Sequence, residues 1–242
     1  MPCSRMPSSL PVQASFTRSG ATLTELLVAV ALFGILAVLI GLGLGHMKKS
    51  SQSVACTSKM RQVGLALAQY SAEDNLRLPG PLWRGQTPYY QTGADGTPDM
   101  ASGNLITFLS PYLNLEALPP GHSARAGIVS CPAWMAGAEK RGEIVCLYST
   151  GEHTLADGSM ITPFGRMGPS GEESTAPMSM AALDRPATIP ALREFDRKGV
   201  STGFYRTDPR VPESPVHQTV RHVLYFDGHV AAAPVDDHFP AN

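Results

Sequence analysis

This chain has no large excess of positive or negative charge. Its 242 residues carry 19 basic and 20 acidic side chains, for a formal net charge of −1. Proteins that bind nucleic acid usually present a basic surface, so this balance gives no reason to expect nucleic acid as a partner. The length allows one or two domains.

Cysteine is scarce, because only Cys3, Cys56, Cys131 and Cys146 are present. No pair has the close spacing that is typical of a zinc site. Cys131 and Cys146 flank a short segment, and they could form a disulfide in an oxidising compartment. Sequence separation does not fix the distance between two side chains, so two free buried thiols are an equal alternative.

Motifs of the common hydrolases and nucleotide-binding proteins are also absent. The sequence has no G-x-S-x-G, no H-E-x-x-H and no P-loop. Its serine, histidine and aspartate residues follow no recognisable triad order. We therefore expect a protein that is not an enzyme.

Proline is missing between Pro11 and Pro79, whereas 18 of the 21 prolines lie from Pro79 onward. A long proline-free stretch is what an uninterrupted helix requires, and we predict one from Ala21 to Ala72 or Asn75. Its second half keeps one apolar face, which can pack against a globular head. The residues of that face are Met60, Val63, Leu67 and Tyr70.

Charge is almost absent from residues 21–45, where Glu25 is the one charged side chain. As a helix, Leu26 to Leu44 would cover roughly the 30 Å hydrocarbon core of a membrane. A secretory signal peptide would be shorter and would end in a small-residue cleavage site, which GLGLGHMKKS lacks. An ordinary transmembrane anchor does not account for Glu25, since a charged carboxylate inside lipid costs at least ~2.5 kcal/mol.

The segment RSGATLTELLVAVALFGILAVLIGLGLG resembles the N-terminal signal of type IV pilins and type II secretion pseudopilins. The resemblance implies that a prepilin peptidase cuts between Gly20 and Ala21 and that Ala21 is then methylated. It also makes Glu25 the acid at position five of the mature chain. Ala21 departs from the phenylalanine that usually follows the cut in that family.

The resemblance also implies a role for Glu25. Cleavage creates an amine at Ala21, which lipid solvates as poorly as the carboxylate. Pairing of Glu25 with that amine, in the same or a neighbouring subunit, would neutralise both charges where the dielectric constant is low. Glu25 is then an assembly residue rather than a catalyst.

A second resemblance lies toward the C-terminus. His217 is followed after nine residues by Asp227 and Gly228, a pattern similar to that of pilin-like proteins from planctomycetes and verrucomicrobia. Similar stretches are CTSKMRQVGLALAQYSAEDN, the Cys131-Pro132 pair and LDRPATIPALREFD. The resemblance implies a pilin-like α+β fold, in which the long helix packs on a small antiparallel β-sheet with long loops.

These features predict four segments. Residues 1–20 are a prepilin leader, 21–47 the transmembrane half of the helix, 48–75 its amphipathic half, and 76–242 a periplasmic α+β head. Within the head, GIVSCPAW, EIVCLYST and RHVLYFDGHVAAAPV are predicted strands, and LITFLSPYL a short helix or turn. A long surface loop is expected over 150–176.

Asp227-Gly228 predicts a hairpin turn, because both turn positions favour positive φ. The neighbouring side chains also suggest a metal site, since imidazole and carboxylate suit zinc. The candidate ligands are His217, Asp227 and His229, with His222 close in sequence. The structural alternative is that Asp227 and Gly228 only make the turn, while His217 hydrogen-bonds across the sheet.

Calcium is the second candidate cofactor, although we expect that no cofactor is required. Some pseudopilins hold this ion with carboxylate and carbonyl oxygens. Asp95 and Asp99, or Asp236 and Asp237, offer the same chemistry. Neither stretch has an EF-hand pattern.

The expected protein is a structural pseudopilin subunit of a type II secretion-like pseudopilus or a type IV pilus-related filament. Its partners would be prepilin peptidase, other pilin-like subunits in a homo- or hetero-oligomeric filament, and lipid of the bacterial inner membrane. The resemblance implies a single pass, with the head in the periplasm or on a surface filament. The charges do not decide this orientation, because Arg5 and Arg18 precede the apolar run and Lys48 and Lys49 follow it closely. One alternative is a surface binding module that uses the signal only for export and anchoring, and an anchored enzyme is the least supported.

Overall fold

The computed structural model describes residues 22–141, 148–149, 152–155, 157–168, 173–199 and 207–235. It divides the chain into two compact units, Met1–His46 and Met47–Asn242. The described residues combine α-helices with small antiparallel sheets, so the predicted α+β class is confirmed.

Helix α1 runs over Leu23–Glu73, which confirms the predicted long helix. Its first turn is closed by a capping box, in which Thr22 and Glu25 satisfy each other's backbone amides. The Thr22 amide donates to Glu25 Oε2 at 2.8 Å, and the Glu25 amide donates to Thr22 Oγ1 at 3.3 Å. The sequence itself contains the T-x-x-E pattern of a capping box at Thr22 and Glu25.

The end of α1 is set by Asn75, which adopts a left-handed φ of 51°. Asparagine tolerates this conformation better than most residues, and it stands here where glycine is commonest. The Leu76 amide then donates to the Ser71 carbonyl at 2.7 Å, which satisfies one of the last free carbonyls of the helix. The predicted stop at DNLRLPGP is therefore confirmed.

Side chains along α1 differ in their surroundings. The large apolar ones from Leu23 to Leu39 are exposed. Within the second unit, the helix instead buries Cys56, Met60, Val63, Ala66 and Leu67. Among the described residues, no helical stretch combines the length and the apolarity that crossing a membrane requires.

The remaining helices and strands are short, and all belong to the second unit. Helix α2 is Leu105–Leu109 and α3 is Pro132–Arg141. The strands are β1 Gly85–Gln86, β2 Tyr89–Gln91, β3 Ser123–Arg125, β4 Tyr148–Ser149, β5 His153–Thr154, β6 Met160–Ile161, β7 Arg166–Met167, β8 Glu173–Thr175, β9 Pro190–Glu194, β10 Val220–Tyr225 and β11 Val230–Pro234.

The largest sheet has the strand order β1-β4-β9-β10-β11, and each neighbouring pair is antiparallel. The other strands form the antiparallel pairs β2-β3, β5-β6 and β7-β8. Strand β10 lies between β9 and β11, and its four middle residues are buried while the residue at each end is half-buried. A strand covered on both faces does not show the polar alternation of a half-exposed strand.

The predicted hairpin is confirmed as β10 and β11, but its turn differs from the expected one. Gly228 has φ 87°, whereas Asp227 is not among the residues with positive φ. The Gly228 amide donates to the Tyr225 carbonyl at 2.9 Å, and the Tyr225 amide donates to the His229 carbonyl at 3.0 Å. This is the bonding of a turn followed by a left-handed glycine, so that glycine alone needs the unusual φ.

Two predictions for the head are corrected. GIVSCPAW is not a strand, because residues 127–129 form a turn and α3 begins at Pro132. Proline is well suited to the first helical position, where its missing amide costs nothing. The predicted loop over 150–176 instead contains β5, β6, β7 and β8. Of EIVCLYST, Tyr148–Ser149 form β4.

Helix α1 packs directly against the β10–β11 hairpin. A Cβ placed on Gly64 would come within 2.9 Å of Leu224 Cδ1 and 3.4 Å of Gly228 Cα, so a side chain there would displace the Leu224 side chain. The surrounding core is contiguous. Its largest fully buried apolar members are Met60, Leu78, Leu82, Leu105, Ile106, Leu109, Trp134, Leu192 and Leu224.

Candidate functional site

A buried group of sulfur, imidazole and carboxylate side chains lies where α1, the sheet and the segment before α3 meet. We call it the Cys–His–Glu cluster. It comprises Ser53 and Cys56 of α1, Cys131 before α3, Glu194 of β9, His217 before β10 and His222 of β10.

The two cysteines of the cluster are joined by a disulfide. Cys56 and Cys131 lie 75 residues apart in sequence, their Cα atoms are 4.8 Å apart, and both are fully buried. The possible disulfide between Cys131 and Cys146, one of two equal alternatives from the sequence, is therefore corrected, since a sulfur forms one such bond. Short sequence separation misled the prediction, because the packing of α1 in the core decides which thiol Cys131 meets. Cys146 itself lies outside the described residues.

Glu194 connects the two histidines of the cluster. Its Oε1 lies 3.1 Å from His217 Nε2 and 3.2 Å from His222 Nδ1. Its Oε2 accepts the backbone amide of His222 at 2.9 Å. The two imidazole rings meet edge to face with their centroids 4.5 Å apart. Both oxygens of the carboxylate are thus held in place.

Each histidine also contacts a residue beyond Glu194. His217 Nε2 lies 3.4 Å from Cys131 Sγ, and His222 Nε2 lies 3.0 Å from the Ser53 hydroxyl oxygen. The His217 ring is buried, with 4% of its side chain exposed. The cluster is therefore a continuous polar network from the disulfide to α1 inside the apolar core.

Burial and hydrogen bonding act in opposite directions on Glu194. Burial raises the pKa of its carboxyl, but hydrogen bonds and charge interactions with His217 and His222 together lower it by more. The pKa of Glu194 therefore lies below the ordinary glutamate value of 4.5. The cluster favours the carboxylate form.

This lowered pKa predicts how stability depends on pH. The unfolded chain takes up a proton near pH 4.5 and the folded chain only at lower pH, so the stabilisation is complete above 4.5 and is lost as the pH falls through the folded pKa. We expect Glu194→Gln to flatten the plot of unfolding free energy against pH in the acid range below the ordinary glutamate value of 4.5. Denaturant unfolding at several pH values measures this plot.

The exposed Glu213→Gln provides the control for that experiment, because it removes one carboxyl that faces solvent. Its plot should follow that of the unmodified chain in the acid range. Equal slopes for the Glu194 and Glu213 variants would contradict the assignment.

The structure distributes the predicted zinc ligands over two places. His217 lies in the Cys–His–Glu cluster, whereas Asp227 and His229 lie at the hairpin turn. There Asp227 Oδ1 lies 2.6 Å from His229 Nδ1, and the His229 ring stacks on Tyr225. Asp227 and Gly228 make the turn and His217 bonds to the neighbouring strand, as the structural alternative proposed.

A different set of side chains has the geometry of a metal site. Among the described residues, the ligand atoms that lie within 4.8 Å of one another belong to Cys56, Cys131, Glu194 and His217. Of the predicted ligands, His217 alone is a member. Glu194 had one signal in the sequence, since it is an acid between the apolar run IPAL and Phe195, separated from that run only by Arg193.

The predicted calcium ligands are engaged in local hydrogen bonds. Asp95 Oδ1 accepts from the amide of Thr97 at 3.0 Å and from its hydroxyl at 2.8 Å, and these bonds lower the pKa of Asp95. Asp99 Oδ2 accepts from Gln91 Nε2 at 2.7 Å. Asp236 and Asp237 both lie outside the described residues, which end at Val235.

The predicted assembly residue, Glu25, lies in the capping box at the start of α1. Besides the amide bond, its Oε2 accepts the Thr22 hydroxyl at 3.0 Å. Glu25 therefore has a local structural role that the sequence argument did not include. The predicted processing residues Gly20 and Ala21 lie outside the described residues.

No protein-family model, curated protein or solved structure matches this chain.

Proposed function

We propose that the chain is a membrane-anchored, pilin-like structural subunit of a type II secretion-like pseudopilus or a related envelope filament. The observation that carries the proposal is the exposure of apolar side chains in the first part of α1. Between 52% and 76% of each residue is accessible. These residues are Leu23, Leu26, Leu27, Val28, Val30, Leu32, Phe33, Ile35, Leu36, Val38 and Leu39.

Exposure of this many large apolar side chains to water is unfavourable. Burying each one contributes about 1.5–3 kcal/mol, so the segment gains strongly from any apolar surroundings. The exposed residues include adjacent positions such as Leu26, Leu27 and Val28, so they are spread around the helix and not confined to one stripe. A helix that is apolar on all sides is typical of a membrane span, whereas a helix that docks on a protein shows one apolar stripe. Lipid is thus the occupant that we propose, with the helices of other subunits beside it.

Glu25 fits this arrangement because its two oxygens can serve different partners. The hydrogen bonds to Thr22 use Oε2. Pairing with the amine of a processed and methylated Ala21 would use Oε1. In a low-dielectric setting, such a pair removes the cost of two separate charges. The acid then closes its own helix and also contributes to contact between subunits.

Processing is tested by mass spectrometry of the full chain, coexpressed with a prepilin peptidase. The proposal predicts a mature N-terminus at Ala21 that carries one additional methyl group. A Gly20→Val variant should remain uncut, because the resemblance assigns the position before the cut to glycine. A mature start at another residue, or a cut that does not depend on the peptidase, would overturn the proposal.

Three substitutions separate the capping of α1 from the role of Glu25 in assembly. Glutamine can replace glutamate in a capping box, so Glu25→Gln keeps the helix start but removes the charge. Thr22→Ala keeps the charge and weakens the cap by about 0.5–2 kcal/mol. Glu25→Ala removes both. We expect cross-linking between subunits in membranes to be lost in both Glu25 variants and retained in Thr22→Ala.

The outcome of this comparison discriminates between the proposed roles. If Thr22→Ala fails to cross-link and Glu25→Gln succeeds, the cap is what matters and charge pairing is excluded. If all three variants mature and cross-link normally, Glu25 does not contribute to filament assembly. The signal would then serve export and anchoring of a surface binding module.

A further inference from the structure

We propose that the Cys–His–Glu cluster has a second state, in which the reduced chain binds one Zn²⁺ ion. The ligand atoms would be Cys56 Sγ, Cys131 Sγ, His217 Nε2 and Glu194 Oε1. The disulfide and the metal site are then alternative states of the same four residues. This inference does not depend on the proposed role in a filament.

The distances between ligand atoms already approach those of a tetrahedral zinc site. With Zn–S of about 2.3 Å and Zn–N or Zn–O of about 2.0–2.1 Å, the tetrahedral edges are about 3.6 Å for S···N and about 3.3 Å for N···O. In the structure, Cys131 Sγ lies 3.4 Å from His217 Nε2, which lies 3.1 Å from Glu194 Oε1. To complete the site, the two sulfurs must separate once their bond is broken, and ligand atoms up to 4.8 Å apart must draw together around the ion.

The chemistry of the donors suits zinc. Two thiolates, an imidazole and a carboxylate are all zinc ligands, and a closed set of four protein ligands is typical of structural sites. The same nitrogen of His217, Nε2, faces both the sulfur and the carboxylate. A disulfide by itself needs neither an imidazole nor a carboxylate beside it. The convergence of these groups on one buried point is therefore the observation that favours a metal.

A further layer of hydrogen bonds holds the carboxylate in position. The backbone amide of His222 occupies Glu194 Oε2, which leaves Oε1 directed at His217. The His222 ring contacts Oε1 through Nδ1, and the Ser53 hydroxyl contacts the other ring nitrogen. Such outer contacts orient ligands and raise metal affinity in known sites. His222 is thus a positioning residue rather than a ligand.

The change of state is a two-electron reduction followed by metal binding. A dithiol reductant gives two electrons to the Cys56–Cys131 bond and becomes a disulfide, and the two cysteines receive its two protons as thiols. Zn²⁺ then displaces these protons, which pass to solvent, and binds the two thiolates. His217 takes the tautomer that carries its hydrogen on Nδ1, so that Nε2 is free to bind, and His217 Nε2 and Glu194 Oε1 then exchange their contact with each other for the metal.

The test compares the same full chain, in detergent micelles, in its two redox states. A water-soluble phosphine reduces the disulfide, takes up oxygen from water as the phosphine oxide and leaves two thiols. After exposure to Zn²⁺ and dialysis, elemental analysis should find about one zinc per reduced chain and a background level in the oxidised chain. Cobalt substituted for zinc should show charge-transfer bands from thiolate and the visible bands of a tetrahedral ion.

Variants connect these signals to the cluster. Cys56→Ala/Cys131→Ala and His217→Gln should lose the bound metal, whereas Cys146→Ser and His229→Gln should keep it. His222→Gln should retain the cobalt bands but lower zinc affinity by about 10–100-fold, which is the usual effect of an outer contact. The oxidised His217→Gln chain retains its disulfide, so its fold can be verified by circular dichroism before reduction.

Two results would overturn the proposal. One is a reduced chain that keeps its circular dichroism spectrum but holds no zinc and gives no tetrahedral cobalt bands. The other is equal zinc binding by the unmodified chain and by Cys56→Ala/Cys131→Ala, which would place the metal elsewhere.

Discussion

Replacing Asp196 by alanine is expected to lower the free energy of unfolding by about 3–5 kcal/mol, because it strands a buried guanidinium. Arg221 Nε donates to Asp196 Oδ2 at 2.6 Å, and Nη2 donates to Oδ1 at 3.0 Å. The exposed fractions of the two side chains are 2% and 1%. Arg221 also donates to the Val235 carbonyl, but a neutral carbonyl does not compensate a full charge.

Denaturant unfolding of the full chain in micelles measures this loss. Glu152→Ala is the matched control, because Glu152 pairs with the more exposed Arg84 and Arg166. Surface pairs contribute about 0–1 kcal/mol, so the control should lose little. An apolar pair of similar volume, Asp196→Leu with Arg221→Met, should be much closer to the unmodified chain than Asp196→Ala. Equal losses for Asp196→Ala and Glu152→Ala would exclude a buried charge pair.

The same pair shows why part of this fold was beyond sequence reasoning. Strand β10 was predicted correctly from its apolar and β-branched residues, and its turn was located by Asp227-Gly228. Nothing local indicates that Arg221 turns into the interior, because its partner is 25 residues earlier in the chain. Whether a charged residue in a strand is buried depends on which strand lies beside it, and only tertiary packing decides that.

Helix α1 illustrates the opposite case. A proline-free run, the T-x-x-E start and an asparagine at the end are all local, so its bounds were predictable within a few residues. Strand β9 was missed because Pro190 stands at its start and interrupts the usual strand pattern. GIVSCPAW was mistaken for a strand, although it contains a turn and the start of α3. A short apolar run by itself does not distinguish a strand from a piece of a buried helix.

The candidate site likewise contains one residue that a local sequence pattern indicated and three that no local pattern connects. His217 was found by its spacing to Asp227, but that spacing reflects the hairpin rather than a shared site. Cys56, Cys131 and Glu194 come from three separate parts of the chain, and no local pattern connects them. Their proximity follows from the packing of α1 on the sheet, in which Gly64 permits the close approach.

Reduction of the Cys56–Cys131 disulfide is expected to lower the free energy of unfolding by about 3–4.7 kcal/mol, in the presence of a chelator that keeps zinc away. The bond closes a loop of 75 residues. In the chain-entropy account, the closed loop lowers the conformational entropy of the unfolded chain. Breaking the bond raises that entropy again and so favours unfolding. The buried side chains remain in place after reduction, so the experiment measures the bond rather than a cavity.

Unfolding by guanidinium, with and without a phosphine reductant, provides the measurement. Cys146→Ser is the control, because it leaves the Cys56–Cys131 bond intact and should show the same loss on reduction. In Cys56→Ala/Cys131→Ala the reductant should have no further effect. If reduction leaves the unfolding midpoint unchanged, the core contacts of residues such as Met60 and Trp134 are sufficient to hold α1 in place. If Zn²⁺ restores part of the loss in the unmodified chain but none in His217→Gln, the recovered stability belongs to the metal-bound state of the cluster.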